Sequence, residues 1–381
     1  MNKKIVIIGG GASALMLASL LPKNSVTIIE SNAKLGAKIL VSGGGKCNIT
    51  NTLMGAEYFL GDEAFINPSL KRFSQQSLLQ WLERQRLEPV LRKERQYFCK
   101  NSSKELLDIF IKQSKKQKIF FNEKVLDVSK RDDLFYVRTN KQTVTADAVV
   151  VASGGLSFPK LGASSIGYDI AEKFGHRVVK TAPGLVGFTV QKDQFFFKEL
   201  SGLSTDVEIK VGDNLCKGAL LFAHKGMSGP AVLDASLYWE KGKIEIDFLP
   251  QFSWEKIYKS KKQLSSLLPM PKRLTKAFLL QLNIDDKTGT KITTDEIKLL
   301  ETLNSYSFAP AGTFGYAKAE VTKGGVCTDE VDAKSMMSKK VEGLYFTGEV
   351  LDVTGRLGGY NFQWAFSSAY SCAKFINKEE K

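Results

Sequence analysis

The spacing of apolar positions along the chain changes three times, and each change predicts a different kind of structure. At the start, "IVII" (residues 5–8) runs into Gly9, Gly10 and Gly11, and "ASALMLASLL" follows up to Pro22. This predicts a strand, a tight glycine turn and a helix closed by proline. "SVTIIE" (25–30) and "ADAVVVASGG" (146–155) are short, β-branched and almost continuously apolar, as strands buried on both faces of a parallel sheet are. "LLQWLERQRL" (78–87) and "SKELLDIFIKQSKKQ" (103–117) have helical spacing, and "SIGYDIAEKFGH" (165–176) is a short helix stopped by Gly175. From about Pro183 the pattern alternates instead. "VGFTVQ", "TDVEIKV" and "KIEIDFLP" each have one apolar and one polar face, which suits an antiparallel sheet or small barrel. Between Trp254 and Asn304 the chain reads as lysine- and leucine-rich helix, with a capping box expected from Thr293 to Glu296. Buried-strand texture then returns in "VEGLYFTGEV" (341–350). The glycine-rich "TGRLGGYN" (354–361) leads into a last helix from "FQWAFSSAY" onward.

α/β texture therefore stands at both ends, with something else between. The expected fold class is α/β. A doubly wound, Rossmann-like domain is built from residues 1–183 and 320–381. It is interrupted by a β-barrel-like insert (184–252 and 305–319) and a small helical insert (253–304). Composition changes this picture little, because 43% apolar and 25% charged residues are ordinary for a globular chain. No apolar run has the length of a membrane span and the first one ends in glycines, so a cytoplasmic protein is expected. Five cysteines without a CxxC pair and only two histidines argue against a disulfide framework and against a metal site. The formal charge of +14 is spread along the chain, with local density in "RQRLEPVLRKER" and "KKQKIFFNEK". It reads as a solvated lysine-rich surface, so a small-molecule substrate is expected rather than nucleic acid.

The chemistry concentrates at the glycines. Gly9-Gly10-Gly11-Ala12-Ser13-Ala14 matches G-x-G-x-x-G/A between a strand and a helix, and Glu30 ends the next strand. Gly9 permits the tight turn and Gly11 lets backbone approach a pyrophosphate. Ala12 opens the helix whose N-terminus meets that anion, and Ala14 keeps helix and strand close. Glu30 can accept from a ribose 2′-OH and disfavours a 2′-phosphate. The fingerprint occurs once, whereas a second glycine-bearing segment lies far away in "TGEVLDVTGRLGGYN" (347–361). A cofactor long enough to need both ends of the chain, such as FAD, fits this arrangement better than NAD alone.

"VIIGGGASALMLA", "GAKILVSGGGKCNITN", "VVVASGGLSFPKLGASSIGYDIAEKFGH", "LLFAHKGMSGPAVLDAS", "AEVTKGGV" and "LYFTGEVLDVTGRLGGYNFQWAFSSA" occur in this order over nearly the whole chain. In them the sequence resembles the bacterial BaiN/YhiN-like NAD(P)/FAD-dependent oxidoreductases, within the glutathione-reductase-like flavoproteins. The resemblance implies bound FAD, with reduced nicotinamide as a transient donor. It also implies contacts to FAD from Gly9, Gly11, Ala14, Glu30, Lys38, Ser42, Gly43, Gly44, Gly45, Cys47 and Asn48 in the first half. Val125, Ala152, Ser153 and Gly154 are implied near the adenosine half. Gly348, Glu349, Asp352, Gly358, Gly359, Asn361 and Phe362 are implied near ribityl and flavin. Lys46 stands where arginine is common in "SGGGKCN".

Three further residues need weighing. Lys46 after glycines suggests a P-loop, but Leu40 and Cys47 stand where that motif needs glycine and Ser/Thr. Cys47 has no second cysteine nearby in sequence, so packing or cofactor contact is expected rather than redox exchange. His224, flanked by glycines in "FAHKGMSGPA", is the best candidate for a catalytic proton donor. Tyr360 and Tyr316 are weaker ones. The expected activity passes hydride from NAD(P)H through flavin to a small organic acceptor or oxygen. A flavin-dependent tRNA-modifying enzyme and a flavin-bound module without turnover are the alternatives.

Overall fold

The computed structural model describes residues 3–93 and 95–379. The chain divides into two compact units, Met1–Ala182 with Val321–Lys381, and Pro183–Glu320. The first unit contains, in chain order, β1 (Ile5–Ile8), α1 (Ala12–Leu20), β2 (Val26–Ile29), β3 (Asn48–Asn51), β4 (Val90–Arg92), β5 (Gln96–Phe98), β6 (Lys118–Phe120), β7 (Ala148–Val151), β8 (Leu344–Phe346) and α2 (Tyr360–Glu379). Its central sheet has the order β8-β7-β1-β2-β6, with every pair parallel. β1 and β7 are buried at all eight positions, which is why both read as unbroken apolar runs. Each fully buried Val or Ile there contributes about 1.5–3 kcal/mol.

The register lines up Ile8, Ile29 and Val151 at the carboxyl ends of neighbouring strands. The loops that follow them therefore converge on one edge, where ligands of open parallel sheets bind. β8 joins the sheet beside β7 although the whole of the second unit intervenes in sequence. α1 packs against α2 and buries Ala14, Leu15, Met16 and Leu17 completely. Two small antiparallel sheets lie outside the central one. One is made of Val125–Arg131, Leu134–Thr139 and Thr143–Ala146, and the other has the order β3-β5-β4. The strands of the second are only three or four residues long, so they lack an apolar signature.

The second unit is a seven-stranded antiparallel sheet. Its outermost strands, Tyr306–Phe308 and Gly312–Thr313, are separated in sequence by only residues 309–311. That link spans at most about 14 Å, so the two edges of the sheet are drawn toward each other, as in a barrel. Leu274, Phe278 and Leu300 from the helical segment share one core with Ile209, Phe222, Ile246 and Phe308 of the sheet. The helices thus complete the sheet's core instead of enclosing their own. The Thr293–Glu296 capping box is present. Among the described residues no helix is long and apolar enough to cross a membrane.

Candidate functional site

The first glycine turn is shaped by crowding on one side and space on the other. Gly9 has φ +99°, and a methyl group there would stand 2.7 Å from the carbonyl oxygen of Ala152. Only glycine lets β1 and the end of β7 approach so closely. A methyl on Gly11 would meet nothing within 4 Å. Gly11 is also the N-cap of α1 and no side chain caps it, so the first N–H groups of the helix are left for a ligand. Glu30 is buried. Its Oε2 accepts from the Gly10 N–H at 2.7 Å, and its Oε1 from the Asn32 N–H at 2.7 Å. A carboxylate so held retains lone pairs for a further donor.

The second loop is a different object. Gly43, Gly44 and Gly45 have φ of +56°, +65° and +82°, three successive left-handed residues that side chains disfavour. A methyl on Gly44 or Gly45 would meet nothing within 4 Å. Cys47 follows with φ +43° and is wholly buried. Its thiol packs beneath the loop, and its N–H donates to the Ser42 carbonyl at 3.0 Å. Cys99 neighbours it from the end of β5, through an N–H to the Lys46 carbonyl at 3.0 Å. Burial pushes the Cys47 thiol up to about 12 and the Cys99 thiol up to about 11. Both are poor nucleophiles at neutral pH. The Cys47 side chain is wholly buried in the core of the first unit.

The C-terminal glycines stitch these loops to the far end of the chain. Thr50 donates to Gln363 at 2.7 Å, and Asn51 donates to the Gly358 carbonyl at 2.9 Å. A methyl on Gly359 would stand 2.7 Å from the Thr50 backbone. Lys38 pairs with Glu349 at 2.7 Å, and the other oxygen of Glu349 accepts from the Thr322 N–H at 2.9 Å. Asn361 is turned inward on its own loop, where it donates to the Gly355 carbonyl and accepts from the Gly355 N–H. Asp352 is half-buried. Burial raises its carboxyl above the usual range, partly offset by Arg177. Phe362 stacks on Phe366, Trp364 and Phe366 are buried, and Tyr360 stacks on Tyr58 at 5.0 Å.

The fold therefore gathers the Gly9–Ala14 turn, Glu30, Lys38, the Ser42–Asn48 loop, the Ala152–Gly154 turn, Gly348 to Asp352 and Gly358 to Phe362 within one unit. Val125 opens the neighbouring small sheet, two residues after Glu123, whose N–H bonds the Glu30 carbonyl. His224 lies in the second unit, exposed in the turn between strands Asn214–Ala223 and Gly226–Ser228. Ser13 and Thr347 are residues that motif spacing passed over. Ser13 Oγ, Asn48 Oδ1 and Thr347 Oγ1 are buried without a hydrogen-bond partner. Native proteins rarely leave such atoms unsatisfied. These three sit in the fingerprint, just after the second loop, and just before Gly348. A long polar ligand touching all three segments would satisfy them.

One look-alike is structural. His176 Nε2 meets Ser338 Oγ at 2.7 Å, with Glu330 3.4 Å from Nδ1. Ser338 is buried and accepts from the N–H groups of Lys340 and Val341, so it caps a turn and has no access to substrate. Burial lowers the pKa of His176.

The model of the HI0933-like protein Rossmann domain matches residues 3–375. The chain belongs to the HI0933-like family. This is the FAD-binding family that the motifs resemble, a family of flavin-dependent oxidoreductases. HI0933-like relatives include a ribosomal RNA dihydrouridine synthase of Haemophilus influenzae, 38% identical over 98% of both chains. A protein of the same description from Escherichia coli is 37% identical over 97% of this chain and 96% of its own. A 3-dehydro-bile acid delta(4,6)-reductase of Clostridium scindens is 29% identical over 96% of this chain and 97% of its own. Two relatives have descriptions that name RNA, whereas the spread charge favours a small-molecule substrate over nucleic acid.

Proposed function

We propose that this HI0933-like chain binds FAD and reduces the C5=C6 bond of a uridine in ribosomal RNA, with reduced nicotinamide as donor. The observation that carries the substrate is the 38% identity, over 98% of both chains, to a relative so described. The three unsatisfied polar atoms and the open space at Gly11, Gly44 and Gly45 support the cofactor. The first N–H groups of α1 and Ser13 Oγ would hold the pyrophosphate, Glu30 would accept from the ribose, and Asn48, Glu349 and Asp352 would face ribityl and flavin. FAD bound there would supply two-electron transfer. The residues around it would orient the two partners in turn and exclude water.

The bile-acid relative favours a second reading. Its description and dihydrouridine both imply reduction of a carbon–carbon double bond conjugated to a carbonyl, so a small enone is the alternative acceptor. The test is direct. Purified protein should be yellow, and anaerobic NADH or NADPH should bleach it. Reduced protein mixed with unmodified ribosomal RNA transcribed in vitro should then yield dihydrouridine in digested nucleosides. Enone turnover with inert RNA would overturn the RNA reading. Protein that stays colourless with added FAD would overturn the cofactor.

A further inference from the structure

The basic stretch "RQRLEPVLRKER" has no part in the site as built so far, yet the fold brings it to the second glycine loop. β4 and β5 form a hairpin with Arg92 opposite Gln96, and β5 pairs in turn with β3, Asn48 opposite Phe98. Asn48 donates to Gln96 at 2.8 Å, and a methyl on Gly43 would stand 3.2 Å from the Phe98 ring. At the loop end of this small sheet, Cys99 and Ser103 donate to the carbonyls of Lys46 and Gly45. Arg92 reaches back over the Phe98 ring and donates to the Lys100 carbonyl at 3.2 Å. At the opposite end Lys93 and Arg95 flank the hairpin tip and are exposed. Lys46, Lys100, Arg92, Lys93 and Arg95 therefore form a row about 15–20 Å long, the reach of five or six strand residues.

Two features separate this row from an ordinary solvated surface. Among the described residues none of the five cations has a carboxylate within ion-pair distance, whereas Lys104, just beyond the row, is paired with Asp108 at 2.6 Å. Apolar side chains are exposed next to the row in sequence, with Leu91 51% and Val41 46% accessible, and Gly43 and Gly44 of the second loop are exposed as well. Cations for phosphates, with apolar surface and bare backbone for bases, suit an unpaired RNA strand. The charge balance points the same way. Residues 183–320 carry 18 basic and 16 acidic side chains, while the unit that holds the glycine loops carries 36 and 24.

We propose that the β4–β5 hairpin, with Lys46 and Lys100, is the RNA-docking surface that delivers a splayed-out nucleotide to the second glycine loop. This rests on the RNA reading above and deepens it. The phosphates track the row of cations, and the base lies over the glycines.

The experiment measures retention of unmodified ribosomal RNA, transcribed in vitro, by FAD-loaded protein across a salt series. Three proteins are compared: wild type, Lys93→Gln/Arg95→Gln/Lys100→Gln, and the control Lys259→Gln/Lys261→Gln/Lys262→Gln in the second unit. Flavin absorbance per protein checks the fold of each. The hairpin variant should lose about 2 to 3 units from the slope of log K against log salt, and bind about tenfold or more weakly near physiological salt. The control should keep the wild-type slope. A hairpin variant that binds like wild type, or a control that loses as much, overturns the docking surface while the RNA reading stands. Wild type that neither retains RNA nor forms dihydrouridine overturns the RNA reading, and the surface falls with it.

Discussion

The two triple-glycine loops look alike as text and differ as structures. In Gly9–Gly11 one glycine is fixed by a neighbouring backbone and another by empty space, while the loop runs straight into a helix. In Gly43–Gly45 all three residues are left-handed, and two of them face empty space. The first loop is positioned by the rigid sheet beneath it. The second is a self-supporting turn, held by Cys47 from below and by the small β3-β5-β4 sheet from the side. A glycine can thus be required by what touches it, by its own torsion angles, or by what must come close to it. Only substitution separates these causes.

The largest expected effect is that of Gly11→Asp. It places a carboxylate where the pyrophosphate is proposed, in open space at an ordinary φ of −83°. Flavin absorbance should vanish while the melting temperature of the apoprotein is retained. A yellow Gly11→Asp protein would break the assignment of that loop. Gly44→Ala has the opposite profile. It forces a side chain into a left-handed residue at a cost of about 1–2 kcal/mol, read as a fall in denaturation midpoint. Because space is free there, the protein should still fold and keep part of its flavin.

Cys47→Ser puts a hydroxyl into a wholly buried site and should cost about 1–3 kcal/mol, with colour and turnover retained. Loss of turnover at intact colour would return Cys47 to the chemistry. Alkylation gives a companion reading. With thiols at about 12 and about 11, Cys47 and Cys99 should stay unlabelled by iodoacetamide in the folded protein at pH 8. Labelling should begin only as the pH approaches those values or the fold opens. Lys38→Met is expected to change least. Its pair with Glu349 is partly exposed and should contribute under about 1 kcal/mol, measured by denaturation of the flavin-free protein.

How much of this was legible in the sequence depends on where the signal lay. β1, β2, β7 and β8 are buried on both faces, so their apolar runs named them. Gly9 to Ala14 and Glu30 form a local motif whose spacing is the geometry. The hairpin of β4 and β5 is invisible as structure because strands of three residues, VLR and QYF, are too short to show a period. In the sequence it shows only as charge density, which reads as solvated surface. Cys99 could not be paired with Cys47 by spacing, since the register of β3 on β5 brings them together. Ser13 and Thr347 were hidden for another reason. Their significance is the absence of a partner, which appears only when every neighbour is placed. The Asn361 amide closes its own turn on Gly355, a pairing that residue types do not announce.

The placement of β8 beside β7 has a consequence for synthesis. The hydrogen-bonding edge of β7 leaves the ribosome roughly 200 residues before the strand that covers it, an interval of about 10–40 s at ordinary translation rates. Throughout that time the entire second unit is made, with all the sequence it needs for its own core. The inserted unit can therefore mature first, while the outer one waits with an exposed strand edge. A stalled or truncated chain ending near residue 320 would release a finished insert tethered to an open, aggregation-prone half sheet. Folding of the flavin domain is thus timed by the synthesis of residues 321–381.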